Sequence, residues 1–157
     1  MSAESINNGE KTRLLTFYLT DELYAIEIIN IKEIIAYTKP TKIPKTPDFL
    51  VGVINLRGNI IPVADLRARF MMPKNEDSSN GAIVITTLKG VNLGFVVDNV
   101  EEVLPTESSM YSDTPKFNTS IDSDYIKSMV RYEESVIMLL NLDSLFSDKD
   151  LENLEGL

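Results

Sequence analysis

The chain has 157 residues, 43% of them hydrophobic and 25% charged, with 7 Gly and 7 Pro, the proportions of a folded domain or of two small lobes sharing a core. It contains no Cys and no His, which excludes disulfides, thiolate metal sites, Ser-His-Asp and Cys-His catalysis and most zinc chemistry. The formal charge of −9 argues against nucleic acid as a partner, and it is uneven: residues 1–70 hold nine Lys/Arg against eight Asp/Glu, residues 71–157 six against sixteen.

Residues 1–12 read as a flexible lead-in without the apolar segment of a signal peptide. No apolar run approaches the roughly 20 residues of a membrane span, so a soluble, cytoplasmic protein is expected. From Arg13 to Thr20 the side chains alternate, with Leu15, Phe17 and Leu19 on one face, which predicts a half-buried strand. Asp21-Glu22 turns the chain into a second strand carrying Tyr24, Ile26 and Ile28, completing a hairpin. Asn30 and Glu33 resemble a capping box, and Ile31, Ile34 and Ile35 share a helical face, so a short helix is predicted over 31–36. The stretch 38–47, with three prolines and three lysines, reads as extended and exposed.

Two apolar runs, 51–56 and 60–64, flank Arg57-Gly58-Asn59 and predict a hairpin with Gly58 and Asn59 supplying positive φ. Pro62 in the return strand predicts an edge or a bulge. Asp65 is a plausible N-cap for a helix over 66–70. A third hairpin over 82–97 turns at Lys89-Gly90, and a further strand over 100–104 follows Asp98-Asn99. Residues 105–124 lack periodicity, and loops of that length usually have a function or are mobile. The last hairpin spans 125–140, Asn141 caps a closing helix, and an acidic tail from Ser147 forms one more helical turn on Leu151 and Leu154. Residues 60–70 and 136–146 echo each other at an offset of 76: an apolar strand, Asp or Asn, Leu, then a terminal Phe. Nine or ten short strands with little helix read as all-β barrels.

Acid–base catalysis would need two converging carboxylates with pKa values pushed apart. The candidates are Asp65, Asp98 and Asp143, and a cap and a turn account for the first two. No Gly-rich phosphate loop or EF-hand pattern is present, so neither catalysis nor a cofactor or metal is expected. The basic residues Lys39, Lys42, Lys45, Arg57, Arg67 and Arg69 read as a solvated face, since only Tyr37 and Phe49 are near enough to stack nucleic-acid bases. Arg57 differs from the rest, because strand patterning does not require an arginine at a hairpin tip. It is either a solvated turn residue or a fork for a partner's carboxylate or carbonyl.

The stretch PDFLVGVINLRGNIIPVADLR, residues 47–67, resembles the G-V-x-N-L-R-G-x-x-x-P-x-x-D-L-R signature of the CheW family, the coupling proteins of bacterial chemotaxis. Gly52, Asn55, Gly58, Pro62 and Asp65 are its structural positions. Supporting matches are the first hairpin, Ile31-Lys32-Glu33-Ile34, Gly94 to Val100, and the closing strand and helix, so the resemblance covers roughly residues 13–147. One departure is Ser128, where the family usually has Gly before the last hairpin strand.

The resemblance implies a mainly β fold of two intertwined five-stranded Src-homology-3-like β-barrel subdomains with a few short helices. The folded domain would span 13–147, between a flexible segment at 1–12 and an acidic tail at 148–157. It implies a non-catalytic adaptor that couples the cytoplasmic tips of chemoreceptors to the regulatory domain of the histidine kinase CheA. Such a protein is a monomer in isolation and joins rings or arrays with the kinase, at the membrane only through its partners. Carried over by motif, the receptor contact comprises Arg57, Ile31, Glu33 and Val103, and the kinase contacts comprise Ile43, Ile60 and, in Pro115-Lys116-Phe117 of the long loop, Phe117. The alternatives are a scaffold for a receptor–kinase pathway outside chemotaxis and a nucleic-acid-binding barrel.

Overall fold

A computed structural model of the chain describes residues 12–73, 81–113 and 123–155. Four hairpins carry the fold: β1 (Thr12–Leu19) with β2 (Glu22–Glu27), β4 (Leu50–Leu56) with β5 (Asn59–Asp65), β6 (Ala82–Leu88) with β7 (Val91–Val97), and β10 (Ile126–Tyr132) with β11 (Ser135–Leu140). Between them run β3 (Ile31–Ala36), β8 (Asn99–Thr106) and the two-residue β9 (Tyr111–Ser112). Helix α1 (Leu66–Arg69) follows β5, and α2 (Leu142–Leu145) and α3 (Asp148–Glu155) follow β11.

These strands form a six-stranded sheet ordered β8-β1-β2-β11-β10-β9 and a five-stranded sheet ordered β3-β6-β7-β5-β4. The two share one plan. In each, a hairpin from the first half of the chain lies beside one from the second half through a parallel pair, β2 with β11 and β5 with β7. One strand from each lobe then crosses to the other sheet: β3 follows the β1–β2 hairpin and pairs with β6, while β8 follows the β6–β7 hairpin and pairs with β1. That exchange intertwines the lobes. It also places the two echoing segments equivalently, as β5–α1–Phe70 and β11–α2–Phe146.

Both sheets roll so that their outer strands meet. In the five-stranded sheet Arg57, at the β4–β5 turn, reaches Glu33 on β3. In the six-stranded sheet the hydroxyls of Thr106 on β8 and Tyr111 on β9 share a 2.7 Å hydrogen bond. Strand twist makes such closure natural for short strands.

The largest core lies between the lobes. Phe17 and Tyr24 from the first hairpin stack towards Phe70, with ring centroids 6.4 and 5.5 Å apart, and Phe95 stacks on Phe146 at 5.4 Å. Each buried aromatic removes enough apolar surface to contribute about 1.5–3 kcal/mol. Smaller cores fill each barrel: Leu14, Leu104, Val130 and Ile137 in one, Ile54, Ile61, Val63 and Ile83 in the other. Helix α3 adds Leu151 and Leu154 to the central core, so the acidic tail packs as a helix over Asp148–Glu155.

Several expectations change. Strand β1 is buried on both faces, and Thr16 is tolerated there because its hydroxyl donates to the Glu102 carbonyl and accepts from the Glu102 N–H at a bulge. Residues 31–36 form strand β3, not a helix, preceded by a short 3-10 turn at Ile28–Asn30 with no side-chain cap. Asn141 precedes α2 without capping it through its side chain. Pro62 lies on an inner strand. Counting back from the two-residue turn, Val53 and Pro62 form a non-hydrogen-bonded pair, so the proline lacks no bond to β4, and the parallel ladder with β7 starts only at Val63. The Val53 backbone groups bond Thr41 instead, N–H and C=O each at 2.8 Å. Ser128 occupies a bulge in β10, and its hydroxyl donates to the Ser112 carbonyl at 2.8 Å, tying β9 in place.

Candidate docking site

The β4–β5 turn has two residues and needs positive φ at both. Arg57 (φ 51°) and Gly58 (φ 87°) supply it, rather than Gly58 and Asn59. The Asn55 side-chain oxygen accepts from the Gly58 N–H at 2.9 Å and braces the turn. Lys89 (φ 50°) and Glu133 (φ 55°) open the β6–β7 and β10–β11 turns in the same left-handed conformation, so the turn geometry, not the arginine, sets this backbone.

The Arg57 guanidinium forks onto Glu33, with Nη1 donating to Oε2 at 3.1 Å and Nη2 donating to Oε1. The hydrogen bond to Arg57 is the main reason the Glu33 carboxyl is held below the usual carboxylate range, and the same bond raises Arg57. Glu33 is therefore Arg57's partner and not a capping-box residue. The Arg57 side chain stays 68% exposed against 26% for Glu33. The fork uses two of its five N–H donors and leaves three for a partner.

Strand β3 presents Ile31, Glu33 and Ile35 on its half-buried face and Lys32, Ile34 and Ala36 on its exposed face. Ile31 packs against the central core, so much of its surface is spent there. Val103 lies on the equivalent crossing strand β8, opposite Leu15, and is 48% exposed. Ile60 is exposed on β5, three residues from Arg57, and Ile43 lines a separate cleft before β4. Phe117 lies outside the described residues. Of the structural positions, Asp65 accepts from the Arg67 N–H at 2.9 Å as the N-cap of α1. Gly52 passes so close to Thr41 that a Cβ would stand 2.7 Å from its carbonyl carbon.

The basic residues do not form one solvated face. Arg67 is buried, and its guanidinium donates to Asp98, which also accepts from the Thr20 N–H at 2.6 Å. Arg69 lies over the rings of Phe49 and Phe146, 4.3 and 5.1 Å from their centroids, and pairs with Asp150. Sequence reasoning missed both roles. The only signal was Arg67 two residues after a cap, where the first helical turn faces the core. Asp65 and Asp98 are thus engaged in a cap and an ion pair, and Asp143 is exposed in the first turn of α2.

Two rolled, intertwined sheets with an exposed arginine–carboxylate fork at a barrel seam define a two-lobed β-barrel interaction domain. A profile of the CheW-like domain family matches residues 13–150, and the chain belongs to that family. It is 33% identical to chemotaxis protein CheW of Treponema pallidum, over 96% of this chain and 91% of that one. It is 31% identical to chemotaxis protein CheW of Bacillus subtilis, over 96% and 94%. Among solved structures, the scaffolding protein TtCheW from Thermoanaerobacter tengcongensis superposes with a TM-score of 0.80 at 34% identity, covering 90% of this chain and 91% of that one. The fold is accordingly mainly β, with two Src-homology-3-like subdomains and a few short helices. None of the described helices is long and apolar enough to cross a membrane.

Proposed function

We propose that the protein is a non-catalytic adaptor of bacterial chemotaxis that joins the cytoplasmic tips of chemoreceptors to the histidine kinase CheA. The observation that carries this reading is the Arg57–Glu33 fork, exposed at a barrel seam with donors to spare. Relatives named chemotaxis protein CheW, aligned over nearly the whole chain, support it. The receptor contact is Arg57 and Glu33 with Val103, and Ile31 backs it from the core side. The kinase contacts are Ile43, Ile60 and, in the long loop, Phe117. The working unit runs from residue 13 through α3, whose Leu151 and Leu154 pack into the central core. It acts in the cytoplasm at receptor arrays, held there by its partners.

An exposed fork of this kind gives contacts on the order of micromolar, and an array supplies avidity. A bridge regulates the kinase only through unequal affinity for its two states. The test is sedimentation of the protein with receptor-bearing membranes, with and without CheA, together with kinase activity. Co-sedimentation that raises receptor control of the kinase is the expected result. No retention on receptor membranes and no CheA binding at hundreds of micromolar would overturn the reading.

A further inference from the structure

The chain passes between the lobes three times, and the three passages are secured unequally. Strands β3 and β8 are each held by a backbone ladder, with β6 and with β1. The third passage is α3. It follows β11 and α2 of the six-stranded lobe, yet it grips the five-stranded one: Asp148 accepts from Lys89 in the β6–β7 turn, and Asp150 from Arg69 at the end of α1. Among the described residues no backbone hydrogen bond joins α3 to either sheet. Its hold consists of those two ion pairs and of Leu151 and Leu154 in the central core. We propose that α3 is a releasable clasp: docked, it fixes the arrangement of the two lobes; released, it lets that arrangement change. Resting on the adaptor reading, the clasp then governs a receptor contact that draws Arg57 and Glu33 from one lobe and Val103 from the other.

The helix does not persist on its own. Eight residues are too few for an isolated helix in water. Towards its C-terminal end lie Glu152 and Glu155, with no basic residue in the last turn to offset the dipole. Its first turn is ordered by the grip itself. The Asp150 carboxylate that accepts from Arg69 also accepts from the Ser147 N–H at 3.0 Å, and the Ser147 hydroxyl accepts from the Asp150 N–H at 3.1 Å. One carboxylate thus starts the helix and holds the other lobe, so folding and docking are a single event. Arg69 in turn lies over Phe49, ahead of β4, and Phe146, just after α2, which sets the grip at the seam. The Lys89–Asp148 pair is exposed and the Arg69–Asp150 pair more sheltered, so salt loosens the first more than the second. A segment held by a few side chains and no ladder opens more readily than the strands beneath it.

Hydrogen exchange of the full chain reads the release directly. The α3 amides should be protected roughly tenfold less than those of β7, and several-fold less again when salt rises from about 50 to about 500 mM. D150N should speed the α3 amides by on the order of tenfold and leave β7 unchanged. The chain has no cysteine, so spin labels at K42C, beside β4, and R131C, on β10, report the distance between the lobes. That distribution should be narrow in the wild type and broader in D150N. Retention on receptor membranes should fall several-fold in D150N, and a short bismaleimide bridge across K89C/D148C in the same variant should restore it. Equal acceleration of the α3 and β7 amides would make α3 an inseparable part of the core and overturn the clasp. An unchanged distance distribution in D150N would overturn its control of the lobes. Retention at the wild-type level while α3 opens would overturn the link to the receptor. Absence of wild-type retention overturns the adaptor reading instead, and exchange and distance then decide the clasp by themselves.

Discussion

Replacing Arg67 by Met removes the cation beside Asp98 while keeping a similar volume. The Arg67 side chain is 7% exposed and that of Asp98 16%, so water resolvates the carboxylate left behind only in small part. Thr20 N–H still donates to it, but a backbone donor does not replace a guanidinium. Breaking a pair buried to this degree costs about 3–5 kcal/mol. At about 2–4 °C per kcal/mol for a chain of this length, the midpoint should fall by about 6–20 °C. The pair ties α1 to Asp98 just after β7, and Asp98 in turn accepts from Thr20 in the β1–β2 turn of the other lobe, so the loss would reach the seam between the lobes through Asp98. Calorimetry and urea unfolding measure it. Adding Asp98→Asn should recover part of the loss, so that the double variant is more stable than the sum of the single changes predicts. A loss under about 1 kcal/mol for Arg67→Met is what a surface pair would give, and it would refute the reasoning.

Arg57→Glu should abolish retention on receptor membranes with the unfolding midpoint nearly unchanged; a fall as large as that of Arg67→Met would make Arg57 a structural residue instead. The Glu33 carboxyl, followed by carbon-13 NMR, should titrate below the usual carboxylate range. Its folded-state value is depressed, so the fork's contribution is present above the ordinary value and is lost as pH falls through the depressed one; Arg57→Ala should return the midpoint to the ordinary range. Gly52→Ala should push Thr41 off β4, cost about 1–3 kcal/mol for the two hydrogen bonds, and speed hydrogen exchange at the amides of Thr41 and Val53. Tyr24→Phe should gain about 1 kcal/mol in urea unfolding, because the buried phenol has no hydrogen-bond partner among the described residues and burial pushes its pKa up to about 12.

The hairpins were legible because their turns carry local chemistry: Arg57-Gly58 and Lys89-Gly90 take positive φ, and alternating apolar residues flank them. Strand β3 was not. Ile31, Ile34 and Ile35 satisfy a helical spacing as well as a strand's, and six residues are too few for period to decide. Two facts do decide: an isolated turn of helix is too short to persist, and β-branched side chains favour the ladder that β6 offers. Glu33 was misassigned for the same reason. A capping box needs only residues three apart, whereas its partner Arg57 lies 24 positions away and meets it only when the sheet rolls. Arg67 and Arg69 looked solvated because composition cannot tell a guanidinium on a surface from one between Asp98 or two phenyl rings and the core. The segment 38–47 looked merely extended. Its fixed wall comes from Gly52, whose need appears only once Thr41 is beside it.

The offset of 76 that linked two short segments in the sequence extends to the turns. It maps Arg57 (φ 51°) at the β4–β5 tip onto Glu133 (φ 55°) at the β10–β11 tip, and Ile60 onto Val136, which are 55% and 54% exposed. Two hairpins of one build thus carry opposite charge at their tips, in keeping with a first half near neutrality and a strongly acidic second half. The consequence for an adaptor is directional. A molecule with identical ends could join its partners in either order. One whose hairpin tips share a backbone but differ in sign offers its partners two unlike contacts, and unlike contacts set an order. Under the proposed function, charge at the hairpin tips sets the order of assembly, while the exposed apolar residues behind them, Ile60 and Val136, supply contact area at both ends alike.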